Sequence, residues 1–409
     1  MIRQLIHDRP TMKFRKQIPT ISVNPKIGRA DQPVCIQASR LPPLTPFTVR
    51  SRVMDEKGRT FEAHGHYTAS TNGKIHLNKH PSIGGTYTGI EPMGLFWSMV
   101  QSPGQKKGIR YVKLDVTQPS NVELSLYPGY LGINELQDSK PMTTTRILRV
   151  FMDEHMERFE VKVGRVRGTL IKPKGSGPFP GIIDMYGALG GLLEMRASLL
   201  ANYGYAVLAL GYCRYKDLPE NFLRIDLDYF EESINWFTSQ ECVMTGGIGT
   251  IGLSKGAELA VTMAVYFPDK KGGEFPKLGT SDLNITTFNL SNVVENPGRY
   301  DNSKLVIIDG NACSLELLDD PVDEAVFDFS RVKAEMLYIA VGDDLLCKTP
   351  FYAEEAIKRI RSLNKSNYRY LYYPGAGHLV QPPNTPLSDL APHWFESEYH
   401  LITIYVISD

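Results

Sequence analysis

Gly252-Leu253-Ser254-Lys255-Gly256 sets a serine at the spacing Gly-x-Ser-x-Gly. A serine hydroxyl is a weak nucleophile until an adjacent base takes its proton. It must therefore stand clear of its own backbone, within reach of base and substrate. A sharp turn from a strand into a helix does this, and it needs small residues two before and two after the serine. The spacing alone arises by chance, so the flanks decide its weight. Thr250-Ile251-Gly252-Leu253 closes an apolar run, and Lys255–Tyr266 reads as a helix. At the head of that helix the Lys255 N–H would face an oxyanion forming on the substrate. The plain alternative is a serine that merely caps a helix. The strand in front of it favours the nucleophile.

A serine nucleophile on this kind of turn is followed in the chain by an acid and then a histidine. After Ser254 the histidines are His378, His393 and His400. His378 ends Pro374-Gly375-Ala376-Gly377-His378, a glycine-rich loop behind the apolar run Tyr368–Tyr373. Such a loop can swing an imidazole onto the serine, whereas His393 and His400 have no evident strand to place them. The acid should end the run Met336–Val341, where Gly342-Asp343-Asp344 follows. One carboxylate would orient His378, and position alone does not separate the two. A second oxyanion donor should come from an earlier strand-to-helix loop. Tyr186-Gly187-Ala188-Leu189-Gly190-Gly191 is that loop, with the N–H of Tyr186 or Gly187 as the donor. A tight turn without chemistry would explain its glycines equally well.

These positions require particular elements. From about Phe159 strand-like and helical runs alternate: Gly181–Met185, Leu192–Leu200, Ala206–Leu210, Leu227–Thr238, Ile248–Leu253, Lys255–Tyr266, Met336–Val341, Phe351–Leu363 and Tyr368–Tyr373. That grammar predicts a mostly parallel sheet with helices on both faces, an α/β-hydrolase catalytic domain over 150–390. From Ile18 to Arg149 the grammar is different. Phe47–Val53, Phe61–His64, Val112–Val116 and Val122–Tyr127 read as short strands. Asp55-Glu56-Lys57-Gly58 and Asn72-Gly73 read as turns, the latter as a hairpin. An all-β sandwich over 18–149 is expected ahead of the catalytic domain, with 391–409 as a C-terminal tail.

Bulk properties narrow the functions. Lys plus Arg equals Asp plus Glu at 45 each, so no whole-molecule field draws nucleic acid or anionic membrane. No apolar run reaches the length of a membrane span. The five cysteines are odd in number and widely spaced, without Cys-x-x-Cys, which predicts neither disulfide framework nor zinc site. A reducing, cytoplasmic setting is expected. The basic start, with Arg3, Arg9, Lys13, Arg15 and Lys16 against Asp8, leaves a mitochondrial presequence as the alternative. His64-Gly65-His66 resembles a metal pair, but it lacks nearby third and fourth ligands and is read as a solvated strand face. Tyr368, Tyr370, Tyr372 and Tyr373 are read as a buried strand.

Taken together, the chain resembles the family of type I acyl-CoA thioesterases and bile acid-CoA:amino acid N-acyltransferases. The likeness rests on Asp55-Glu56-Lys57-Gly58, Glu91-Pro92-Met93-Gly94-Leu95, Gly164-Arg165-Val166-Arg167-Gly168-Thr169-Leu170 and Gly177-Pro178-Phe179-Pro180-Gly181-Ile182. It continues through Gly190-Gly191-Leu192-Leu193-Glu194, Asp217-Leu218-Pro219, Asp228-Tyr229-Phe230-Glu231-Glu232, the Ser254 motif and Gly377-His378. The resemblance implies Ser254 as nucleophile, His378 as base and Asp344 as acid, the second of its pair ahead of Phe351-Tyr352. In this family Ser marks the thioesterases and Cys the amino-acid conjugating branch. It thus implies hydrolysis of fatty acyl-CoA, with no metal or prosthetic group and coenzyme A entering only as part of the substrate. The alternatives are transfer of the acyl group to an amino acid, or an impaired member that acts as an interaction protein. Two stretches depart from the family pattern: Asp269–Asp282, and the end after Pro386, which lacks the usual last helix.

Overall fold

A computed structural model describes residues 18–105, 109–220, 226–268, 287–288, 306–308, 311–313, 327–344, 346–386, 390–392 and 400–402. The departures expected at Asp269–Asp282 lie outside these residues, as does most of the chain after Pro386.

The first half is a sandwich of two sheets. Its strands are β1 (Thr20–Asn24), β2 (Ile27–Arg29), β3 (Cys35–Ser39), β4 (Pro46–Met54), β5 (Thr60–Thr68), β6 (Lys74–His76), β7 (Val100–Gln101), β8 (Ser120–Pro128) and β9 (Thr143–Val150). One sheet runs β1-β3-β6 and the other β2-β9-β8-β4-β5-β7. Two single helical turns, α1 (Gly94–Trp97) and α2 (Glu135–Asp138), interrupt them. The β4–β5 hairpin forms where Asp55-Glu56-Lys57-Gly58 calls for it. Its Asp55 Oδ1 accepts from the N–H groups of Lys57 and Arg59, both at 2.9 Å. Phe47, Val49 and Val53 of β4 and Phe61, Ala63 and Tyr67 of β5 are buried, as a period of two requires.

Three expectations for this half change. Asn72-Gly73 makes a turn but not a hairpin, because β6 pairs with β3 and not with β5. The turn carries the chain from one sheet to the other. Val112–Val116 is in no ladder; it runs along the seam between the halves, and the Lys113 N–H lies 3.1 Å from Met195 Sδ. The face carrying His64 and His66 is not solvated, since His64 is buried. The chain after β8 folds across that face: the Leu131 carbonyl lies 3.0 Å from His66 Nε2, and the Leu136 carbonyl accepts from Arg50 Nη1 at 3.1 Å.

The second half is one eight-stranded sheet. Its elements in chain order are β10 (Met156–Val163), β11 (Val166–Pro173), β12 (Phe179–Met185), α3 (Met195–Ala201), β13 (Ala206–Gly211), α4 (Leu227–Thr238), β14 (Val243–Gly252), α5 (Lys255–Tyr266) and β15 (Thr287–Phe288). After the small hairpin β16 (Val306–Ile308) and β17 (Asn311–Cys313) come β18 (Met336–Val341), α6 (Thr349–Ser362) and β19 (Tyr368–Tyr373). The order is β10-β11-β13-β12-β14-β15-β18-β19. β11 runs antiparallel to both neighbours, and every pairing from β13 to β19 is parallel. That is the α/β-hydrolase sheet. The central strand β13 is buried along its whole length, as a strand covered on both faces must be.

Helix α3 begins later than the apolar pattern suggests. Gly190 and Gly191 sit at φ +66° and +79°, so the chain is still turning before Met195. Met195, Ala197, Leu199 and Ala201 of α3 belong to the same apolar core as the sandwich and as Ile171, Val207 and Ala209 of the large sheet. The two halves therefore share buried surface. A second core lies among β12, β13, β18 and helices α4, α5 and α6.

β19 is not buried. It ends the described sheet, and Leu371, Tyr372 and Tyr373 are exposed. Alternation of aromatics is equally compatible with an edge strand, which the sequence pattern does not distinguish. His400 also differs from expectation: it opens the short strand β21 (His400–Ile402), paired with β20 (Leu390–Pro392).

Candidate active site

Ser254 ends the turn between β14 and α5 with φ +56° and ψ −124°. That conformation is unfavourable for a residue with a Cβ, at about 1–3 kcal/mol, and persists only where neighbours enforce it. The flanking glycines show how. A Cβ on Gly252 would lie 2.1 Å from the Gly256 carbonyl oxygen, and one on Gly256 would lie 2.4 Å from that of Tyr186. Both clashes are with backbone, so neither side could yield. The Leu253 N–H donates to the Met185 carbonyl at 3.2 Å and ties the turn to the end of β12. Behind the serine, Lys255 and Glu258 are buried and paired at 2.5 Å across one helical turn. The pair lets α5 bury its first turn with both charges offset.

Beside the serine lies the loop after β12. A Cβ on Gly187 would stand 3.3 Å from Ser254 Cβ and 3.7 Å from its Oγ, so the glycine lets this backbone lie close against the serine. The Tyr212 hydroxyl, just past β13, lies 2.7 Å from the Tyr186 carbonyl and 2.8 Å from that of Gly187. Burial pushes the Tyr212 pKa well up, so it stays a neutral donor. In a trans peptide the N–H points opposite to the C=O. Holding the Tyr186 carbonyl against Tyr212 therefore turns the Gly187 N–H the other way. Asp184 and Arg196 brace the strand end, with Arg196 Nε 2.8 Å from Asp184 Oδ1 and Nη2 2.9 Å from the Met185 carbonyl. Desolvation raises the Asp184 pKa against the opposing pull of Arg196.

The acid and the imidazole meet at the ends of β18 and β19. His378 Nδ1 lies 2.9 Å from Asp344 Oδ2. Asp344 Oδ1 accepts from the N–H groups of Leu346 at 2.9 Å and Cys347 at 3.0 Å. The carboxylate is buried, and these three bonds hold it in one orientation. An ionised carboxylate only accepts, so the proton between them sits on Nδ1 and leaves Nε2 to accept. Asp343 is exposed, and its N–H donates to the Ala376 carbonyl at 3.0 Å. It stitches the two loops together but turns its side chain away. Gly342 completes the stitch: a Cβ there would lie 2.4 Å from the Pro374 carbonyl.

Two cysteines, Cys213 and Cys347, lie near this end of the sheet, and both are buried. Burial pushes the Cys213 thiol up to about 11, and Cys347 is buried behind Asp344. Among the described residues no group of three His, Cys, Asp or Glu could hold a metal ion.

Two family models match the chain: the acyl-CoA thioester hydrolase/BAAT N-terminal region over residues 31–163, and the BAAT/acyl-CoA thioester hydrolase C-terminal region over 225–401. Acyl-coenzyme A thioesterase 2, mitochondrial, of Homo sapiens is 37% identical over 89% of this chain and 74% of its own length. The chain belongs to the acyl-CoA thioester hydrolase/BAAT family. Homo sapiens acyl-coenzyme A thioesterase 1 is 36% identical over 89% of this chain and 86% of its own. The Mus musculus acyl-coenzyme A amino acid N-acyltransferase 1 is also 36% identical over the same shares. Identity alone therefore does not separate the two chemistries within this family. The C-terminal match runs on to residue 401, past Pro386, where the motif likeness ended.

The residues expected to act fall at the carboxyl ends of parallel strands: Gly187 after β12, Ser254 after β14, Asp344 after β18 and His378 after β19. Sequence reading missed Tyr212, the Leu346 and Cys347 amides, and Gly342. Gly342 carried a signal, a glycine at a strand end before an acid pair. Tyr212 carried none, since its reach to the neighbouring loop depends on strand order.

Proposed function

We propose that the chain hydrolyses fatty acyl-CoA to a free fatty acid and coenzyme A through Ser254, His378 and Asp344. The catalytic domain is 150–390, and the sandwich over 18–149 precedes it. His378 Nε2 takes the Ser254 proton as Oγ attacks the thioester carbonyl. The backbone N–H groups of Lys255 and of Gly187 or Tyr186 receive the oxyanion, and one such donor contributes about 3–4 kcal/mol. Asp344 stabilises the imidazolium and holds its tautomer. The C–S bond then breaks, and the thiolate of coenzyme A leaves with the proton from His378. A water that gives its proton to His378 attacks the acyl-Ser254 ester and releases the acid. No step calls on a metal or prosthetic group.

The observation that carries this reading is the Asp344–His378 bond at the edge of the sheet that also presents Ser254 on its strained turn. The test is a panel of acyl-CoAs of graded chain length with free thiol as the readout. Thiol release at some chain length, lost in Ser254→Ala, supports the reading; equal release by the variant defeats it.

A second reading is acyl transfer to glycine or taurine, favoured by the equal identity to an N-acyltransferase. Ser at position 254 ranks it lower, because an acyl-serine ester is hydrolysed readily. An N-acyl amino acid as the major product, with both acceptors present, would reverse the order. We place the activity in the cytoplasm on the cysteine pattern; a relative named as mitochondrial keeps the alternative.

A further inference from the structure

We infer that Arg110, carried by the sandwich, is a positioning residue for the oxyanion loop of the catalytic half. The inference rests on the serine-hydrolase reading of Ser254. The loop Tyr186–Gly191 has little stiffness of its own: Gly187 has no side chain, and Gly190 and Gly191 have positive φ. Its geometry must be imposed from outside. On one side the Tyr212 hydroxyl holds the Tyr186 carbonyl at 2.7 Å. On the other, the Tyr186 side chain leaves the catalytic half and meets Arg110. The guanidinium carbon lies 5.1 Å from the Tyr186 ring centroid, and Nη1 donates to the phenol oxygen.

Two further features fit this role. The Arg110 guanidinium lies over the tyrosine ring, whose face attracts a cation. Arg110 and Tyr186 also line a small cleft with Val380, Gln381 and Pro382, which come just after His378-Leu379 in the chain. The sandwich, the oxyanion loop and the histidine loop therefore meet at one point. Next to Tyr186, Gly187 stands against Ser254. A shift of the tyrosine moves the N–H that must meet the oxyanion, but it removes no contact to bound substrate.

A donor used only in the transition state governs kcat and not KM. Arg110→Ala should lower kcat about 10- to 100-fold, the cost of misplacing a catalytic group by up to about 1 Å, with KM unchanged. Tyr186→Phe keeps the ring and loses only the acceptor oxygen, so it should lower kcat by less. Arg110→Lys should recover part of the loss, since an ammonium can also stack and donate. The double variant Arg110→Ala, Tyr186→Phe should be no worse than Arg110→Ala alone. The rate at which a fluorophosphonate labels Ser254 should fall by the same factor, because its phosphonyl oxygen uses the same donors. This arm does not require acyl-CoA to be the substrate. A rise in KM for acyl-CoA with kcat unchanged would overturn the inference and make Arg110 a substrate contact. So would unchanged labelling in Arg110→Ala, or additive losses in the double variant. Absence of labelling in the parent would instead defeat the reading of Ser254, and the inference with it. If Arg110→Ala fails to fold, Tyr186→Phe alone decides: full kcat in it overturns the inference.

Discussion

Replacing Asp344 by Asn changes one atom, and the surroundings dictate where that atom goes. Asp344 Oδ1 accepts two backbone N–H groups, from Leu346 and Cys347, at 2.9 and 3.0 Å. An amide nitrogen turned toward them would face two donors with a third. The Asn oxygen therefore keeps that side, and its NH2 faces His378 Nδ1, 2.9 Å away in the parent. That nitrogen must then accept, so the ring proton moves to Nε2. His378 in this tautomer cannot take the proton of Ser254. The expected loss in kcat is about 10⁴-fold, or about 5 kcal/mol of transition-state stabilisation. The fold should survive, because both backbone bonds are retained. Asp343→Asn is the control: its side chain is exposed, and most activity should remain. The assay is thiol release from acyl-CoA under saturation, with thermal unfolding in parallel. If Asp344→Asn kept a tenth of the parent kcat, or if Asp343→Asn were the crippling change, the account of the acid would be refuted.

Gly252→Ala should open the nucleophile turn, since its Cβ would lie 2.1 Å from a backbone oxygen; turnover should drop about 100-fold, read by thiol release. Parent-like turnover would mean the turn is not as rigid as its geometry implies. His64 sets an acid limit on stability. Desolvation, then the nearby His66 and Arg50, lowers its pKa from 6.5 to about 4. The unfolded chain thus binds this proton more readily. His64 contributes no penalty above pH 6.5, and stability falls as pH drops from 6.5 toward 4, by at most about 1.4 kcal/mol per unit. His64→Leu should flatten that limb of a plot of unfolding free energy against pH; an unchanged slope would remove His64 as its source. Ser254→Cys should still consume acyl-CoA, more slowly with water and through a longer-lived acyl-enzyme. Added glycine or taurine should raise its turnover more than the parent's, because an amine attacks a thioester readily. Equal responses would put acceptor choice in the pocket instead.

Much of the site was legible because strand ends are legible. Ile248–Leu253 and Met336–Val341 read as strands, and Ser254 and Gly342-Asp343-Asp344 follow them, so chain order alone put them on one edge of a parallel sheet. His378 was reachable as the histidine on a glycine loop behind a strand. Local chemistry did not choose between Asp343 and Asp344; a family likeness did, and in the structure it is Asp344 that bonds His378. What sequence reading missed depends on pairing across the chain. Tyr212 matters because β13 lies beside β12, and Arg110 because the sandwich packs against α3. The surface errors share that origin. His64 is buried on a face that the segment after β8 crosses, and Tyr372 and Tyr373 are exposed on β19, the last strand of the described sheet. Neither neighbour can be read from the strand's own residues.

The central claim is that Ser254 carries the acyl group. The direct measurement is to mix the protein with a long-chain acyl-CoA, quench in acid during turnover, digest, and weigh the peptides. The account predicts the mass of the acyl group on the peptide containing Ser254, absent from Ser254→Ala and lengthened in lifetime by Ser254→Cys. Acylation of a different residue, or parent-rate thiol release by Ser254→Ala, would contradict it.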